Sequence, residues 1–135
     1  MGLFYANKDS ADFVGYADAG YLSDPHKARS QTGYVFTCGG TIISWRSTKQ
    51  SIVATSSNHA EIIAIHEASR ECVWLRSVIH FIQEKYGLEC DKKSTILYED
   101  NVACIAQLKG GFIKGDRTKH ISLKLFYTHD LSEKW

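Results

Sequence analysis

Three acidic residues stand where the surrounding sequence gives no ordinary reason for an acid. Asp18 interrupts the apolar-rich segment Phe13-Val14-Gly15-Tyr16-Ala17-Asp18-Ala19, Glu61 opens a long helical pattern, and Asp100 falls where a strand pattern gives way to a helical one. Strand ends and first helical turns converge at one end of an α/β sheet. Carboxylates gathered there repel one another unless a cation joins them. Oxygen ligands of this kind suit Mg²⁺ or Mn²⁺. Two such ions about 4 Å apart can hold a phosphodiester, activate an attacking water and stabilise the leaving oxygen. Each acid also has a bland reading. Glu61 completes a capping box begun by Asn58, Asp100 caps the helix after it, and Asp18 sits at a strand's exposed edge. Residue type and spacing alone leave both readings open.

The elements that must position these acids follow from periodicity. Gly33-Tyr34-Val35-Phe36-Thr37-Cys38 and Thr41-Ile42-Ile43-Ser44-Trp45-Arg46-Ser47, separated by Gly39-Gly40, predict a β-hairpin. In its second arm Ile43 and Trp45 share one face, read as the core face, and Ser44 and Arg46 the other. Trp74 is likewise read as core. Ala60, Ala64, Ala68, Cys72, Leu75, Ile79 and Ile82 recur at steps of three or four and mark the apolar stripe of a helix. Asn58 is its expected N-cap and Gly87 its stop. Unbroken, that helix would be about 43 Å long, against a radius of gyration of about 14 Å for such a domain. A break near Arg70–Cys72 is therefore expected. Ser94 to Glu99 reads as a strand, Val102 to Leu108 as a helix capped by Asp100 or Asn101, and Ile121 to Tyr127 as a helix. The whole is one mixed α/β domain.

Composition bounds the function classes. The 135 residues carry 44% apolar and 23% charged side chains with a formal net charge of +1. That is a globular domain with a core, without the basic coat of a general nucleic-acid binder. No run approaches the ~18 apolar residues of a membrane span. The first residues lack the pattern of a secretory signal, so an intracellular site is expected. Cys38, Cys72, Cys90 and Cys104 form no C-x-x-C pair, which argues for reduced thiols over a zinc site.

Longer motifs add a resemblance. Gly15-Tyr16-Ala17-Asp18-Ala19-Gly20-Tyr21, the run Arg29 to Phe36 with Ile43-Ser44-Trp45, the run Lys49 to Glu61, Tyr98-Glu99-Asp100-Asn101 with Ala103, and Arg117-Thr118-Lys119-His120-Ile121 stand in an order and spacing that resemble the RNase H domain of copia-type LTR retrotransposon polyproteins. The resemblance implies an RNase H-like α/β fold: a mixed central sheet, antiparallel strands first and then a parallel strand, flanked by helices. It implies hydrolysis of the RNA strand of an RNA–DNA hybrid with two Mg²⁺ or Mn²⁺ ions. Asp18, Glu61 and Asp100 match three of the family's four metal-binding carboxylates. His120, Arg117 and Lys119 in the matched motif, with Arg46, are the expected substrate contacts.

The sequence also departs from that pattern. The fourth carboxylate is expected in a final strand and helix beyond Trp135, and neither Asp116 nor Asp130 matches it. Ser122 stands where relatives commonly have Asp, and Ile62 where an aromatic residue often follows the catalytic Glu. Without a further strand, the one near Thr95–Tyr98 would be a bare edge. That predicts pairing with a second copy or a partner chain, or coverage by the C-terminal segment. The departures keep a second expectation open, a catalytically deficient remnant that binds protein or nucleic acid.

Overall fold

The structure is a computed structural model that describes residues 12–24, 26–88, 93–108 and 121–125. Five strands and two helices follow in the order β1 (Phe13–Asp24), β2 (Arg29–Cys38), β3 (Thr41–Lys49), α1 (Ser57–Lys85), β4 (Thr95–Glu99), α2 (Val102–Gln107) and β5 (Ile121–Leu125). They form one sheet in the order β3-β2-β1-β4-β5. The first three strands are antiparallel, and β4 and β5 run parallel to β1. This is the mixed α/β sheet expected, with one difference at its end.

That difference corrects two expectations. Ile121–Leu125 is a strand, not a helix, and it pairs with β4 along its whole length, Thr95 opposite Ile121 and Glu99 opposite Leu125. The strand at Thr95–Tyr98 is therefore interior, and its edge is not bare. A partner chain is not needed to complete it, because the chain's own later segment does so. The alternation Ile121-Ser122-Leu123 decides for strand: Ile121 and Leu123 are buried in the core and Ser122 faces the other way. Residues beyond Leu125, where a last helix would fall, lie outside the described residues.

The core lies on one face of the sheet. Ala17, Tyr34, Phe36, Leu97, Ile121 and Leu123 meet Ile65, Ala68, Cys72 and Leu75 of α1 and Cys104 of α2. Cys72 and Cys104 are free thiols within it. Gly15 is required by close packing, since a Cβ there would collide with the Phe36 ring and with Leu97.

Helix α1 runs unbroken through Arg70–Cys72 for 29 residues, about 43 Å at about 1.5 Å per residue. It contains no Gly or Pro to break it. The length argument fails because only the first half lies over the sheet. Leu75 is its last buried residue, and beyond it Phe81 and Ile82 are exposed. Its N-cap is Ser56, whose Oγ accepts from the His59 N–H at 3.0 Å, and not Asn58. Its end is as expected. Gly87 takes a positive φ of 67°, and the N–H groups of Gly87 and Leu88 bond back to Glu84 and Gln83 in a Schellman arrangement. No helix among the described residues is long and apolar enough to cross a membrane.

Trp45 and Trp74 are corrections to the expected core: they are 65% and 57% exposed. In β3 it is the Ser44 and Arg46 face that turns toward α1. Ser44 Oγ donates to Glu71 of α1 at 2.9 Å, and Arg46 hydrogen-bonds the Tyr34 hydroxyl.

Candidate metal centre

Three elements deliver the three acids to one place. Asp18 lies on the inner strand β1, two residues beyond the last β1–β4 pair, Tyr16 with Tyr98. There the gap between the strands opens toward Asp100, the first residue after β4. Glu61 comes from α1, whose start is fastened to the sheet. The Gln50 side chain, fully buried, donates to Thr32 Oγ1 at 3.0 Å and to the Ala60 carbonyl at 2.9 Å, immediately before Glu61. Asn58 donates to Gln107 of α2 at 2.6 Å, joining the two helices beside the site. One carboxylate oxygen from each of Asp18, Glu61 and Asp100 lies within 4.8 Å of the other two.

The capping alternatives are thereby excluded. Ser56 caps α1, so Glu61 sits past its first turn and completes no capping box. Asn101 caps α2, its Oδ1 accepting from the Cys104 N–H at 2.9 Å, which leaves Asp100 out of that role. Asp18 is not on an edge strand, because β2 and β4 flank it.

The electrostatics are those of acids lacking a counter-ion. Burial, and then the charge of Asp100, raise the Asp18 carboxyl above its usual range, against an N–H bond from Ala19 at 2.9 Å. Glu61 is 7% exposed and is pushed up chiefly by burial and further by Asp18 and Asp100. Beneath it lies an acid that sequence reasoning missed. Glu99 is fully buried, its Oε1 accepts from the N–H groups of Asp100 and Asn101 at 3.1 and 3.2 Å, and its carboxyl hydrogen-bonds that of Glu61. Burial, then the Glu61 charge, raise Glu99 more strongly still, so the proton between them belongs to Glu99. The signal was available: Thr95, Leu97 and Glu99 alternate on one strand, so Glu99 faces the core with them.

The donor set fits a hard divalent cation. It is all carboxylate, part buried and part open to solvent, and Glu61 Oε2 is buried without a donor other than the Glu99 carboxyl. A cleft of about 340 Å³ adjoins it, lined by Asp18 and Asp100 together with Tyr16, Val35, Trp45 and Arg46. Arg46 is thus near the acids, on the exposed strand β3. Arg117, Lys119 and His120 lie outside the described residues. Ser122 pairs with Ile96, four residues before Asp100, which puts it about 13 Å along the strands from the acidic end.

Comparison with known proteins gives the class. The chain is 36% identical over 117 residues to the retrovirus-related Pol polyprotein from transposon TNT 1-94 of Nicotiana tabacum, covering 87% of this chain and 8% of the polyprotein. It is 30% identical over 122 residues to that from transposon RE2 of Arabidopsis thaliana, covering 90% of this chain and again 8% of the polyprotein. The chain is therefore a relative of transposon Pol polyproteins and spans only a small part of their length. It is also 45% identical over 74 residues to secreted RxLR effector protein 161 of Plasmopara viticola, 55% of this chain and 52% of that protein. No family model and no solved structure matches it.

Proposed function

We propose that this chain is an RNase H-type module of retroelement origin, with an RNase H-like fold, that hydrolyses the RNA strand of an RNA–DNA hybrid. The observation that carries the reading is the meeting of Asp18, Glu61 and Asp100, from three separate elements, within 4.8 Å. Similarity to Pol polyproteins of transposons supports it. Asp18, Glu61 and Asp100 are the residues that would hold Mg²⁺ or Mn²⁺. Bound there, such ions supply charge stabilisation at the phosphate and an activated water. The chain's own residues do the rest. Asp18 and Asp100, exposed, face the side from which a phosphodiester arrives, while Glu61 closes the site from below. Arg46, at the adjoining cleft, meets a backbone phosphate. Arg117, Lys119 and His120 are proposed as further contacts to the hybrid on the motif alone. An intracellular site of action goes with this reading.

A second reading is a non-catalytic module that binds a partner or nucleic acid. The similarity to a secreted effector over about half of each chain favours it, as does the absence of a residue matching the family's fourth carboxylate. Incubating the chain with a labelled RNA–DNA hybrid, the same RNA single-stranded, and duplex DNA separates the two. Loss of the RNA strand in the hybrid alone supports the enzyme. Binding without cleavage in Mg²⁺ and Mn²⁺ supports the second reading, and equal cleavage of all three contradicts the hybrid specificity.

A further inference from the structure

We propose that Glu99 is the positioning residue of this acidic site: it fixes the turn that presents Asp100 and steadies the carboxylate of Glu61. The inference rests on the reading of the cluster as a metal centre. Its ground is that one fully buried side chain bonds to both neighbouring suppliers of cluster oxygens. Glu99 Oε1 accepts from the backbone N–H of Asp100 at 3.1 Å and of Asn101 at 3.2 Å. The first of these residues carries a cluster oxygen, and the second is the N-cap of α2. The chain therefore leaves β4 in a direction set by the Glu99 side chain, and Asp100 points where that direction sends it. The other end of the same carboxyl meets Glu61, which approaches from α1.

Nothing else in the surroundings accounts for an acid there. Among the described residues the ion pairs are Lys49 with Asp24 and His80 with Glu84, and neither involves Glu99. Its neighbours along the same face, Thr95 and Leu97, are packed into the core. An apolar residue at position 99 would bury more cheaply, but it would strand two backbone N–H groups and leave Glu61 without its hydrogen bond. Glu99 is not itself among the oxygens that converge, so its part is to orient those that do. Groups that orient ligands in this way typically govern metal affinity by about 10- to 100-fold.

The test compares the full chain with Glu99→Gln and Glu99→Leu. Gln keeps the acceptor oxygen for both amides and offers an N–H to Glu61. Leu fills similar space and offers neither. Free Mn²⁺ is followed by electron paramagnetic resonance during titration, and the amide protons of Asp100 and Asn101 are followed by ¹⁵N-resolved NMR without metal. In the parent those two amides should be downfield and protected from exchange. Glu99→Gln should keep them so and bind Mn²⁺ within about 3-fold of the parent. Glu99→Leu should move both upfield and weaken Mn²⁺ by on the order of 10-fold or more. Rapid exchange of both amides in the parent would overturn the proposal, even if the Leu variant does not fold. So would a folded Glu99→Leu with parental amides and affinity, or a Glu99→Gln as impaired as Leu, which would make Glu99 a ligand. A parent that binds no Mn²⁺ defeats the metal-centre reading instead, and the amide shifts then judge the role of Glu99 by themselves.

Discussion

Glu61 on α1 and Glu99 on β4 meet carboxyl to carboxyl inside the protein, 7% and 0% exposed, with the proton held on Glu99. Above them Asp18 and Asp100 complete a ring of acids without a basic partner from the described residues. The fold thus stores electrostatic repulsion that a divalent cation relieves, and the consequences below follow from it.

Stability without metal should fall as pH rises. The Glu61 carboxyl is pushed up to about 7 by burial, with Glu99's hydrogen bond pulling it down and Asp18 and Asp100 pushing it further up. A carboxyl raised in the folded state contributes stability that is present below its unfolded pKa, about 4.3, and is lost as pH climbs through the folded value. The melting temperature in EDTA should therefore drop between pH 5 and pH 8, by on the order of 5 °C. Millimolar Mn²⁺ should remove most of that drop at pH 8 and have little effect at pH 5. A flat profile in EDTA would contradict the burial of Glu61 as an acid.

Glu61→Gln should raise the melting temperature in EDTA at pH 8, since it removes a buried charge from a repelling cluster, by about 1 kcal/mol. The same variant should lose the stabilisation by Mn²⁺. Calorimetry with and without the ion measures both. A variant less stable than the parent in EDTA, with its Mn²⁺ response intact, would separate Glu61 from the site.

Much of this architecture is legible in the sequence, and the misses have physical causes. The hairpin follows from Gly39 and Gly40, which take positive φ of 60° and 82° as a tight turn requires. The three acids stand out because each breaks a local pattern. Asn58 was the expected cap because the pairing of Asn58 with Glu61 mimics a capping box, yet Ser56 starts the helix two residues earlier and so frees Glu61. The helix runs on because nothing in it forbids continuation, and a radius of gyration does not limit one protruding element. Trp45 misleads since alternation tells which residues share a face, not which face is covered. Ile121–Leu125 is short enough for its apolar residues to fit either period. Glu99 was hidden beside Asp100, where the motif drew attention to the exposed neighbour.

Packing at Gly15 should be intolerant. A methyl group there meets the Phe36 ring and Leu97 in a core without slack. Gly15→Ala should cost about 1–3 kcal/mol in urea unfolding. An unchanged midpoint would mean that β1 and β4 are less closely packed than the structure has them.

The cap assignment is separately testable. Ser56→Ala should lower stability by about 1 kcal/mol through loss of the bond to the His59 N–H. Chemical denaturation of the variant gives the value, and no change would return the cap to Asn58.

Arg46 should contribute affinity but little chemistry. Arg46→Ala should weaken binding of a hybrid, measured by anisotropy in Ca²⁺, and reduce the slope of log affinity against log salt by about 1. An unchanged slope would remove Arg46 from the substrate path.

The central claim is that Asp18, Glu61 and Asp100 form a hydrolytic metal centre. Cleavage of a labelled RNA strand in an RNA–DNA hybrid, in Mg²⁺ and separately in Mn²⁺, by the parent chain and by Asp18→Asn tests it most directly. The account predicts cleavage by the parent, stronger in Mn²⁺ than in Mg²⁺, and a loss on the order of 100-fold or more in Asp18→Asn. No cleavage by the parent in either metal, or equal cleavage by Asp18→Asn, would contradict it.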